Sequence, residues 1–127
     1  MIEGAKAFSS FAVDNLDRAE QFYRDTLGLE VSRDNEMGML SLDLTGDRTI
    51  MIYPKEDFEP ATYTILNFAV DDLDRIVVDL TDKGVAFERY EGFEQDEKGI
   101  ARDERGPAIA WFKDPAGNIL AVLEGEM

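Results

Sequence analysis

One stretch of this chain is used twice. Phe11-Ala12-Val13-Asp14-Asn15-Leu16-Asp17 returns as Phe68-Ala69-Val70-Asp71-Asp72-Leu73-Asp74, 57 residues later in a chain of 127. Self-similarity at an offset near half the length means that one supersecondary unit is built twice. In each copy an apolar run meets a knot of acidic residues and then gives way to helical spacing, the pattern of a strand feeding a helix. The duplication predicts an α+β chain of two tandem modules, about residues 1–56 and 61–127, within a single domain spanning 1–127.

The first module reads strand, helix, three strands. Lys6 to Val13 is extended, with Ser9, Phe11 and Val13 on one face and Phe8, Ser10 and Ala12 on the other. Asp17 is placed to cap a helix, with Glu20 three residues on as in a capping box. Leu16, Ala19, Phe22, Tyr23 and Leu27 form its apolar stripe, and Gly28 supplies the left-handed stop. Strands follow at Leu29 to Arg33, Met39 to Leu44 and Thr49 to Tyr53, separated by Gly-containing turns. Pro54 to Pro60 is an acidic, proline-flanked linker.

The second module repeats the plan. Thr64 to Val70 is its strand, Asp74 its cap, Ile76, Val77 and Leu80 its helical stripe, and Gly84 its stop. Val85 to Tyr90 reads as the next strand, followed by a charged loop from Glu91 to Lys98. Gly99 to Arg102 and Pro107 to Lys113 read as a hairpin around Asp103-Glu104-Arg105-Gly106. Asp114-Pro115-Ala116-Gly117-Asn118 is a turn, its Asp and Asn best explained by bonds to their own backbone. Ile119 to Leu123 closes the module.

Composition limits the chemistry. There is no cysteine, so disulfides, thiol nucleophiles and thiolate metal sites are excluded, as expected of a cytoplasmic protein. There is no histidine either, which removes the commonest general base and the commonest transition-metal ligand. A formal net charge of -15 repels a phosphate backbone and an anionic bilayer, so neither nucleic acid nor membrane is an expected partner. No run approaches the ~18 apolar residues of a membrane span, and Met1 to Ala7 lacks the apolar core of a signal peptide.

The twofold plan, the segment Phe22 to Val31 (FYRDTLGLEV) and the segment Trp111 to Leu120 (WFKDPAGNIL) resemble the vicinal oxygen chelate superfamily, which holds glyoxalases, extradiol dioxygenases and the fosfomycin- and bleomycin-resistance proteins. The resemblance covers essentially the whole chain and is specific for fold, not for function. It implies two βαβββ modules whose mixed sheet curves around a shared cleft, with the helices outside. It also implies that metal-using members place His, Glu or similar ligands on the cleft face, in the first strand of each module and in the closing strands.

Those positions map to Phe8, Ile65 and Ala121, with Met51 as the choice for the fourth. None offers a hard donor, and a thioether is too soft for the metals such members use. A slip of one residue would substitute Ala7 or Ser9, and Thr64 or Leu66, with no better result. The chain is therefore closest in character to the metal-free members, with no metal and no cofactor expected.

The face that remains, made of Phe8, Ser10, Asp43, Met51, Tyr53, Ile65, Asn67, Trp111 and Ala121, with Ser41, Ile109 and Leu123 beside them, is apolar and aromatic with sparse polar groups. That balance suits a small organic ligand. Trp111 and Tyr53 could sandwich a planar or cationic group, worth roughly 0.5 to 2 kcal/mol. Each residue also has an ordinary reading: Trp111 and Phe112 as core, Ser10 and Asn67 bonded to nearby backbone, Arg102 and Arg105 exposed on the hairpin. Asp43, if buried, needs a partner, for which Arg102 is a candidate.

Three functions follow. The first is a metal-free protein that sequesters a cationic or aromatic compound, as a homodimer if it follows the bleomycin-resistance type. The second is a metal-dependent lyase or dioxygenase with ligands elsewhere than mapped. The third is a metal-free enzyme in which a buried Asp43 or Tyr53 acts as general acid or base. The residue inventory favours the first.

Overall fold

The computed structural model describes all residues except Arg105, Glu126 and Met127. The chain divides into two compact units, Met1–Glu59 and Pro60–Met127. The first carries strand β1 (Ser9–Val13), helix α1 (Leu16–Gln21), a wide π turn (Phe22–Thr26), and strands β2 (Glu30–Asp34), β3 (Met39–Leu44) and β4 (Arg48–Pro54). The second carries β5 (Thr64–Val70), α2 (Leu73–Asp82), β6 (Ile109–Lys113) and β7 (Ile119–Glu124).

In the first unit the sheet order is β1-β4-β3-β2, with β1 parallel to β4 and the other pairs antiparallel. Leu40, Leu42 and Ile52 are fully buried on the face toward the helix, with Val13 beside them. Each such side chain stabilises by ~1.5 to 3 kcal/mol on leaving water. Helix α1 lies against β3 and β4 and contributes Leu16, Ala19 and, from the π turn, the fully buried Tyr23. The Tyr23 ring meets Phe11 at 5.8 Å and Phe22 edge-on at 5.2 Å.

The second unit has the order β5-β7-β6, again with a parallel first pair. Ala110, Phe112, Leu120 and Val122 are buried on one face, and α2, which packs on β7, buries Leu73, Val77 and Leu80. The turn between β6 and β7 is built as its composition predicts. Asp114 Oδ1 accepts from the backbone N–H groups of Ala116 and Asn118, and Asn118 Nδ2 donates to Asp114 Oδ2 at 3.2 Å.

Four expectations need correction. The helix caps lie two residues earlier than Asp17 and Asp74: Asn15 accepts from the Arg18 N–H and Asp72 from the Arg75 N–H. The earlier start brings Leu16 and Leu73 into the buried stripe, and the cap positions themselves keep the 57-residue repeat. Asp17 and Glu20 instead receive Arg33 Nη1 from β2, at 2.6 and 2.9 Å, and Asp74 receives Arg102 and Lys98.

Next, Leu16 to Leu27 is not one α-helix. After Gln21 it widens, and the Leu27 N–H reaches back to the Phe22 carbonyl at 3.0 Å, before Gly28 turns at φ 72°. Finally, Val85 to Tyr90 does not form a strand. Its backbone meets β6 in a single bridge, Phe87 to Phe112, with a bond from the Glu88 N–H to the Trp111 carbonyl at 2.8 Å. The expected hairpin likewise shrinks to the one bridge between Ala101 and Ile109.

Candidate functional site

Alternation along the strands gives each sheet a second face, opposite its helix. In the first unit this face is lightly covered. Ser10 opposes Met51, Met51 opposes Ser41, and Ser41 opposes Ser32, giving a row of three hydroxyls around one thioether. Ala12 opposes Tyr53, whose ring remains 37% exposed. Phe8, just before β1, is 68% exposed. Asp43 stands between Thr49 and Glu30 and is solvent-exposed.

Asp43 therefore has no burial to compensate, and the Arg102 considered for it is engaged elsewhere. The Arg102 Nη2 bonds both oxygens of Asp74, at 3.0 and 2.9 Å. Arg102, and after it Lys98, hold the Asp74 carboxyl below the usual carboxylate value. Exposure is observed where a general acid or base at Asp43 or Tyr53 would require burial. Arg105 lies outside the described residues.

The corresponding face of the second unit is occupied. Asn67, Ala121 and Trp111 lie in one cross-strand row, with Asn67 exposed at its edge. Ile65 falls where the β5–β7 register shifts, between Thr64 and Leu66, so simple alternation does not describe it. Trp111 is only 9% exposed and packs with Ala101 and Ala121, flanked by Ile109 and Ile119. Two aromatic rings cover it: Tyr90 at 5.4 Å between centroids and Phe93 at 4.9 Å. The sequence reading missed both. Both lie about twenty residues before Trp111 in the chain, and no spacing pattern in the sequence ties them to it.

The covering segment is held by its own side chains. Gln95 accepts from the Tyr90 N–H and donates to the Glu88 and Gly99 carbonyls, all within 2.9 Å. Asp96 Oδ1 accepts from the N–H groups of Lys98 and Ile100, and the Arg89 guanidinium donates to the carbonyls of Asp96 and Glu97. Within this cluster the Tyr90 hydroxyl is buried and has no hydrogen-bond partner among the described residues. Burial, with the Glu88 charge adding to it, pushes the phenol up from its usual value and keeps it a neutral donor.

Phe8, Met51, Ile65 and Ala121 present a ring, a thioether, an alkyl chain and a methyl. This donor set does not fit a divalent metal of the kind metal-using relatives hold. Among the described residues no three His, Cys, Asp or Glu side chains converge.

The sequence profile of the glyoxalase/bleomycin resistance protein/dioxygenase superfamily matches residues 7–122, so the chain belongs to this superfamily. The uncharacterised protein YraH of Bacillus subtilis strain 168 is 28% identical over 126 residues, covering 88% of this chain and 91% of its own. A superfamily member from Sphaerobacter thermophilus superposes with a TM-score of 0.75 at 24% identity, over 95% of this chain and 98% of that one. TnmS3, an antibiotic binding protein from Streptomyces sp. CB03234, superposes at 0.70 with 20% identity, over 95% and 97%. The fold is that of this superfamily, two small helices with mixed sheets of four and three strands.

Proposed function

We propose that this protein captures a small organic molecule of aromatic or cationic character, without a metal and without altering it, and that it does so as a homodimer in the cytoplasm. The observation that carries the reading is the side-chain chemistry at the four mapped positions. Phe8, Met51 and Ile65 present apolar surface, and the buried Ala121 a methyl, where a metal-dependent relative needs donors. The absence of histidine and cysteine supports it, because the common bases and nucleophiles for turnover are missing. The likeness in fold to an antibiotic binding protein is compatible with capture. The exposed Phe8 and Tyr53 rings offer apolar surface that a second copy could cover.

The test is a thermal-shift screen of untagged protein against cationic glycopeptides, aromatic antibiotics and metabolites, followed by mass analysis of whatever binds. Recovery of the bound compound unchanged is expected, with the shift retained after chelator treatment. A product of altered mass, or a shift that requires a divalent metal, would sink the proposal.

A further inference from the structure

Beside the aromatic cluster the second unit has a surface depression of about 410 Å³, within the ~300 to 1,000 Å³ typical of small-ligand sites. Its floor is Ala101, which with Ala121 and Trp111 forms a buried cluster. One wall is the Phe93 ring, which is 50% exposed on one side and rests on Trp111 on the other. Glu94, Asp103 and Glu104 line the rim with Arg102 as the only cation among the described residues there.

The charge balance of this rim is one-sided. Arg102 is already committed to Asp74, and its guanidinium also lies 4.0 Å from Asp96, so its charge is matched by carboxylates outside the depression. Glu94 and Glu104 thus set its sign, within a chain whose net charge is -15. An aromatic face next to anionic groups attracts a delocalised cation through both the ring quadrupole and the local field. The wall is also set before a ligand arrives. Gln95 fixes the chain on both sides of it, and the Ala101–Ile109 bridge fixes the floor, at 2.8 and 3.0 Å. Little ordering cost is left for binding.

We infer that this depression binds a flat organic cation, stacked on Phe93 with its positive edge toward Glu94 and Glu104. The inference rests on the capture reading and adds to it a place and a ligand class. It lies outside the residues mapped from the repeat: of the nine expected ligand-binding residues, none lines the depression, and Trp111 acts only by backing Phe93.

The experiment titrates the full chain with N-methylacridinium, read by quenching of Trp111 fluorescence, with acridine-9-carboxylate as the anionic counterpart. Saturable quenching by the cation is expected, with no saturation by the anion. Phe93→Ala and Phe93→Leu are each expected to weaken binding about tenfold through loss of the stacking face. The double variant Glu94→Gln/Glu104→Gln should weaken it severalfold at low salt, with the difference shrinking as salt rises. Phe93 is half-exposed, so these variants are expected to stay folded, and a circular dichroism melt checks it. Wild-type affinity in both Phe93 variants overturns the location, and equal binding of the anion overturns the ligand class. No saturable quenching by the cation overturns the inference as a whole. In each of these cases an unaltered hit from the broader screen would leave the capture reading standing, so the two failures are distinguishable.

Discussion

Replacing Tyr90 by Phe removes the one buried side-chain polar atom that has no hydrogen-bond partner among the described residues. The Tyr90 hydroxyl is buried without a hydrogen-bond partner, while its ring packs edge-on against Trp111. Leaving a buried donor unmet costs about 1 to 3 kcal/mol, and the ring contact survives the substitution. Tyr90→Phe should therefore stabilise the protein by about 1 kcal/mol or more, a rise in Tm of roughly 3 to 5 °C for a chain of this size. The pH dependence gives an independent handle. Because the folded state raises the Tyr90 pKa above the ordinary 10.0, its contribution is intact below that pH. It is lost as pH rises through the folded value, since the unfolded chain releases the proton first. The stability gap between Tyr90→Phe and wild type should thus widen above pH 10.0. Urea denaturation at neutral and alkaline pH measures both effects. A Tyr90→Phe variant less stable than wild type by ~1 kcal/mol would refute the reasoning, because it would mean that the hydroxyl makes a bond worth keeping.

Other substitutions test other parts of the account. Asp114→Ala strips the acceptor from the Ala116 and Asn118 N–H groups in a buried turn and should cost ~2 to 4 kcal/mol in urea denaturation. Gly99→Ala should destabilise by ~1 to 3 kcal/mol, since Gly99 sits at φ 96° and an added Cβ would come within 2.9 Å of the Phe87 Cβ. Asp74→Asn removes a carboxylate whose pKa is lowered by Arg102 and Lys98. The wild-type advantage should be present above pH 3.8 and vanish as pH falls through the lower folded value, and salt should shrink it. Analytical ultracentrifugation is expected to find a dimer, and a monomer at all concentrations would remove that part of the proposal.

Much of the fold was legible because it rests on local pattern. The strand at Met39–Leu44 follows from alternation, that at Thr64–Val70 from the 57-residue repeat, and the stops at Gly28 and Gly84 from the need for positive φ at a helix end. The caps were misplaced because Asp17 with Glu20 satisfies the capping-box spacing while Asn15 satisfies burial. Starting the helix at Leu16 buries that side chain within the first turn, which is worth more than a second side-chain bond. Val85 to Tyr90 was misread for a related reason. Its apolar residues suit a strand, but the Gln95 side chain bonds its Glu88 carbonyl and Tyr90 N–H, and its own Arg89 reaches out to the Asp96 carbonyl, which periodicity cannot register. The same limit applied to the site. Facing rows such as Ser10 with Met51 and Asn67 with Ala121 were readable from parity. The Tyr90 and Phe93 rings over Trp111 were not, because a loop about twenty residues upstream brings them there.

The central claim is that capture proceeds without a metal. Its most direct test is equilibrium dialysis of untagged, chelator-stripped protein against zinc, manganese, nickel and ferrous iron, with elemental analysis of the retained protein. The account predicts metal far below one ion per chain for all four. One ion per chain, retained through a second dialysis against buffer alone, would contradict it.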